Sequence, residues 1–163
     1  RRVWFDLGPI RAPGAFMPKL LRERVYAIRN AAGAVPSNAI DGIWPTAGVD
    51  MGALLAVLNA SIGKAAIEVT GRDEAGMLQL MTYETASLPT LDVRQLSPES
   101  AEALETAGAA YAASPDREQL RELDRAVHAA FDLSIEPDRL RELARSLKRQ
   151  RIAGGEADAV ASE

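Results

Sequence analysis

Few side chains in this 163-residue sequence are equipped for covalent or acid–base chemistry. The one histidine, His128, lies between Val127 and Phe131 at helical spacing, with no serine or acid motif beside it to complete a triad. It reads as a structural helix residue. Cysteine is absent, which removes disulfides, thiolate zinc sites and cysteine nucleophiles, and fits a reducing compartment. No GxGxxG, GxxxxGKS/T, HExxH or GxSxG pattern occurs, so a standard nucleotide, phosphate, metal or esterase site has no support. The acids fall mostly on the outer faces of predicted helices, where they serve as solvated partners for basic residues. No catalytic residue, metal ligand or resident cofactor is therefore assigned, and the chain is expected to act by binding.

The basic residues are more informative. Net charge is −4, but residues 1–35 carry seven Arg/Lys against Asp6 and Glu23, whereas 36–96 and 97–163 are both net acidic. Within the first stretch Lys19, Arg22, Arg24 and Arg29 are offset only by Glu23. In an extended chain Arg22 and Arg24 would share a face and could meet phosphates or base edges. A protected strand edge, where long basic side chains discourage strand addition, explains the same spacing. Farther on, the arginines from Arg121 to Arg145 alternate with Glu118, Glu122, Asp124, Asp138 and Glu142 at helical spacing, a pattern of intrahelical ion pairs. Only the run from Lys148 to Arg151 is locally unbalanced.

The elements that must position these residues follow from punctuation and periodicity. Pro and Gly break the first 45 residues into short strand-prone runs at 3–7, 24–28 and 39–44. Asp50 can cap one long helix over residues 51–69, with Leu54, Leu55, Leu58, Ile62, Ala66 and Val69 on a broad apolar face. Residues 77–83 look like a strand. Three helices then start at Pro98, Pro115 and Pro137, each with an acid in its first turn, and carry the stripes Leu104/Ala107/Tyr111, Leu120/Leu123/Val127/Phe131 and Leu140/Leu143/Leu147. The expected fold is α+β: a small mixed domain over 1–96 with short strands around a long central helix, a helical region over 97–151, and a flexible acidic tail over 152–163. No apolar run reaches the roughly 18 residues of a membrane span. With no signal-peptide pattern and a start that reads as a strand entered in mid-chain, a C-terminal fragment of a larger cytoplasmic protein is expected.

Several short motifs occur in a familiar order. Trp4-Phe5-Asp6-Leu7, Pro18-Lys19 with Arg22 and Arg24, Asn30, Ile43-Trp44-Pro45, the helix ending Leu58-Asn59-Ala60-Ser61, Gly71-Arg72 with Gly76, and Leu88-Pro89 together resemble the C-terminal target recognition region of adenine-specific DNA methyltransferases of restriction–modification type. The resemblance spans roughly residues 3–93. The catalytic half of such enzymes, with its glycine-rich S-adenosylmethionine loop and Asn/Asp-Pro-Pro-Tyr/Phe motif, is not in this chain.

The resemblance implies a specificity domain that binds double-stranded DNA and packs on a catalytic domain in the parent protein, which would hold the S-adenosylmethionine. Phosphate contacts would come from Lys19, Arg22, Arg24 and Arg29, and base-edge contacts from Asn38 and Arg72. The rival reading is a protein-interaction module that docks through its C-terminal helices.

Overall fold

The computed structural model describes residues 10–161, and side chains as far as residue 154. The predicted strand at 3–7 and the motif from Trp4 to Leu7 lie outside that range. The fold is α+β. Strand β1 (Ala15–Pro18) is the centre of an antiparallel sheet, with β3 (Ile28–Arg29) on one side and β4 (Ile40–Ile43) on the other; Phe16 sits opposite both Ile28 and Gly42. Strand β2 (Leu20–Leu21) belongs to a second sheet, paired antiparallel with β6 (Met77–Gln79), which also pairs with β5 (Arg72–Glu74). Lys19 is the seam. Its N–H donates to the Ala39 carbonyl at 3.1 Å, and its own carbonyl accepts from the Leu80 N–H at 2.8 Å, so one residue is tied to both sheets.

The predicted helix over 51–69 is two helices, α1 (Met51–Asn59) and α2 (Ser61–Thr70), which meet at 71° across an extended Ala60. Asp50 caps the first as expected, accepting from the Ala53 N–H at 2.7 Å. The break is built from polar side chains. Asn59 turns back to clamp the backbone of Ala27, accepting from its N–H and donating to its carbonyl, both at 2.8 Å. Ser61 gives its N–H and hydroxyl to Asp124 at 2.7 and 2.8 Å, so a carboxylate from a distant helix caps α2. Gly63 permits the bend: a Cβ there would lie 2.3 Å from the Val57 carbonyl oxygen. Apolar periodicity runs across Ala60 without interruption, which is why the sequence reads as one helix.

The predicted strand over 77–83 is also corrected. It ends at Gln79, and α3 (Thr82–Ala86) follows, begun by the Glu84 carboxylate accepting from the Met81 N–H at 2.8 Å. The β5–β6 hairpin turns on Ala75 and Gly76, both at positive φ (53° and 77°), the two-residue turn that matches strand twist. Of the run over 24–28 only Ile28 is in a strand; Val25 and Ala27 are buried while Arg24, Tyr26 and Ile28 face outward.

After a 3-10 turn (Val93–Gln95) come α4 (Pro98–Ala113), α5 (Arg117–Phe131) and α6 (Pro137–Ala161). Ser97 and Asp116 cap α4 and α5, which leaves Pro115 just before the helix rather than in its first turn. Helix α6 continues past residue 151, where the sequence reading ends it, to Ala161.

Helix α1 separates two apolar clusters. Leu55 and Leu58 join Met17, Leu21, Ile67, Leu78 and Leu80 beneath the sheets. Ala53, Ala56, Val57 and Ala60 face Leu104, Leu123 and Val127 of α4 and α5. The central place expected for this segment is thus occupied by α1. Val69 at the end of α2 is 72% exposed and Leu143 of α6 48% exposed, so neither belongs to the predicted core faces. No single helix among the described residues is long and apolar enough to cross a membrane, and the apolar α1–α2 pair is bent and largely buried.

Candidate nucleic-acid interface

The six residues singled out by the sequence fall in three environments. Lys19, Arg29 and Arg72 have carboxylate partners. The Lys19 ammonium lies 3.3 Å from Asp41, a buried acid that also accepts from the hydroxyls of Thr82 and Thr85 at 3.0 and 2.8 Å. Arg29 reaches Glu105 of α4 at 2.5 Å with both side chains about half exposed. Arg72 donates to Glu84 at 2.8 Å and to the Tyr83 hydroxyl, with its guanidinium 5.8 Å from the Tyr83 ring centre. The Glu84 hydrogen bond raises the pKa of Arg72 further; the Met81 N–H, followed by Arg72, holds the Glu84 carboxyl below its usual range.

Arg22 and Arg24 are exposed and, among the described residues, have no carboxylate within 4 Å. They sit around a chain bend at 22–23, not in a strand, so their common exposure does not come from the two-residue alternation. Asn38 lies in an exposed turn just before β4. The structure therefore does not gather the six into one cluster.

It brings Arg24 together with residues from the far end of the chain. Arg24, Tyr26 and Ile28 form one wall of a groove of about 450 Å³; the other side includes Tyr111 of α4 and Arg145 and Lys148 of α6, and Lys64 of α2 also lines it. The Lys64 ammonium donates to the Tyr111 hydroxyl at 2.7 Å. Burial lowers the Lys64 pKa to about 8 against the opposing pull of Asp124, and burial likewise raises that of Tyr111. Lys64, Tyr26, Tyr111 and Arg145 were not signalled by the sequence, because the chain segments that carry them are far apart. Lys148 was, as part of the unbalanced run at the end of the basic stretch.

Two buried arginines hold α6 so that this wall exists. Arg141 donates to Asp124 at 3.0 Å and also to Asp138, and Asp124 in turn caps α2. Burial opposes the Arg141 charge, while the hydrogen bonds to Asp138 and Asp124 raise its pKa. Arg151 donates to both Glu68 oxygens at 2.8 and 3.0 Å, to the Gly76 carbonyl at 2.5 Å and to the Arg22 carbonyl at 2.8 Å. That last bond ties the basic segment to α6 through its backbone and leaves the Arg22 side chain outward.

The arrangement defines a small α+β domain whose exposed basic segment borders a groove closed by a terminal helix. Residues 1–127 match the family model described as the C-terminal domain of the type II methyltransferase M.Eco57I, and the chain belongs to that family. It is a C-terminal region of the restriction–modification methyltransferase type, in agreement with the resemblance carried by its motifs. No curated protein and no solved structure matches the chain.

Proposed function

We propose that this chain is the DNA-facing target-recognition domain of an S-adenosylmethionine-dependent, adenine-specific DNA methyltransferase. The observation that carries the reading is the exposed pair Arg22 and Arg24, without a carboxylate within 4 Å among the described residues, the second of them lining a groove with Arg145 and Lys148 of α6, in a member of this family. Arginine and lysine heads held at the surface by a fixed backbone take phosphates, which set register on the duplex, while nearby polar side chains such as Asn38 read base edges. Lys19, Arg29 and Arg72 contribute only by exchanging their carboxylates for phosphate. The target adenine is turned out into the pocket of the parent's catalytic domain.

S-adenosylmethionine belongs to that catalytic domain. The rival reading, docking through the apolar stripes of the C-terminal helices, is weakened because Leu104, Leu123, Val127 and Leu140 are already buried within the chain. The test is DNA affinity of the full-length methyltransferase against salt. Arg22→Ala with Arg24→Ala should lower affinity and reduce the salt slope by up to about two, one unit per phosphate lost. An unchanged affinity and slope in a folded variant would remove DNA from this face.

A further inference from the structure

The groove behind the basic segment has a charge balance that the DNA reading uses only in part, through Arg24, Arg145 and Lys148 at its rim, leaving Lys64 and the apolar wall unassigned. Of its lining cations, Arg141 is consumed by Asp124 and Asp138; of its acids, Glu68 is consumed by Arg151. Asn59 and Ser61, which also line it, have their side chains committed to Ala27 and Asp124. Arg24, Lys64 and Lys148 remain without a carboxylate within 4 Å among the described residues, and Arg145 only reaches Glu142 at 4.0 Å. Against them stands Glu23 alone. The walls between these charges are Tyr26, Ile28, Pro115 and Leu120, apolar or aromatic surface suited to a flat ring.

We propose that this groove is a binding site for a nucleoside monophosphate unit, its phosphate received by Lys64, Lys148 and Arg24 and its ring lodged against Tyr26 and the apolar wall. Three unpaired cations around one opening match a phosphate dianion better than a single carboxylate, and the space of about 450 Å³ is that of a small-ligand pocket. Lys64 supports the assignment. A lysine lining the groove against the cost of burial, with the hydroxyl and ring of Tyr111 as its close partners and no carboxylate within 4 Å among the described residues, gains most when an anion arrives. The same unit can come as a free mononucleotide or as an unstacked nucleotide of a strand.

Calorimetric titration of the 163-residue chain separates these. Adenosine 5′-monophosphate should bind at 0.15 M salt at least tenfold more tightly than inorganic phosphate. Lys64→Met should weaken it tenfold or more, and Tyr26→Ala and Lys148→Ala severalfold each. A single-stranded pentanucleotide that binds far more tightly than the monophosphate and competes with it identifies a strand as the source; comparable affinities identify the free nucleotide. No monophosphate binding at millimolar concentration, equal binding of phosphate, or indifference to Lys64→Met in the folded protein overturns the proposal. Arg22 does not line the groove, so Arg22→Ala should leave monophosphate affinity unchanged while reducing duplex binding. The two proposals thus fail by different variants.

Discussion

Helices α4 and α6 lie on the same body by opposite means. Helix α4 presents Leu104, with no exposed surface, and Gly108 to the alanine face of α1, where a Cβ on Gly108 would come 3.0 Å from that of Ala56. Close apolar contact holds it, and its exposed face is free to vary. Helix α6 buries only Leu140 among its leucines and relies on Arg141 and Arg151, each with about 5–7% of its side chain exposed. Packing of the first kind yields gradually to substitution. A buried ion pair does not, since removing one partner strands the other charge in low dielectric. The groove is lined by both helices, so its shape depends on a tolerant side and an intolerant one.

The comparison is tested most severely at Arg151. Arg151→Met should cost about 3–5 kcal/mol in chemical denaturation, because the Glu68 carboxylate, 3% exposed, loses its counter-charge and two backbone carbonyls lose a donor. Adding Glu68→Leu should restore much of that loss. If the double variant is no better than the single one, the carbonyl contacts and not the ion pair hold α6. On the apolar side, Leu104→Ala should cost about 2–4 kcal/mol, with the value set by how far α4 settles onto α1. A loss below about 1 kcal/mol would mean that α4 is peripheral.

Lys64 reverses the sign. Its folded pKa, about 8, lies below the ordinary 10.5, so between those values the unfolded chain holds a proton that the folded chain has released. Stability should therefore rise with pH from about 8 to 10.5, and the penalty is present in full below 8. Lys64→Met should flatten that rise and stabilise the protein at pH 7 by about 1–3 kcal/mol. Denaturation at pH 7 and pH 10 measures both. A loss of stability at pH 7 would show that the Tyr111 hydrogen bond and the Asp124 field outweigh burial. A gain in stability accompanied by a loss of nucleotide affinity is the signature of a residue kept for binding.

Helix starts in the C-terminal half were legible because capping is local: Ser97-Pro98 and Asp116 act within three residues of themselves. The break at Ala60 was not, since Asp124, which caps the second helix at Ser61, lies 63 residues downstream of that serine. Asn59 and Ser61 were visible as a motif, but their partners Ala27 and Asp124 exist only in the fold. The basic segment showed the same limit. Composition marked Lys19, Arg22, Arg24 and Arg29 alike, and only three-dimensional placement separates the two that face Asp41 and Glu105 from the two without an acid. Lys64 carries no sequence signal at all, being one lysine in an amphipathic helix.

The smallest effect concerns the one ion pair that α4 makes with the basic segment. Arg29 and Glu105 are 51% and 48% exposed, so water and salt screen them, and Arg29→Ala should change stability by less than about 1 kcal/mol. Its use is as a test of the proposed DNA binding. If Arg29 keeps Glu105 when DNA is bound, the substitution leaves the salt slope of the full-length enzyme unchanged. If it leaves Glu105 for a phosphate, the slope falls by about one unit, and Glu105→Gln should raise affinity by removing both the competitor and a repelling charge. Similar affinity in both variants would keep the apolar seat of α4 clear of the duplex. A change in both would extend the proposed DNA face from Arg22 and Arg24, past β3, to α4.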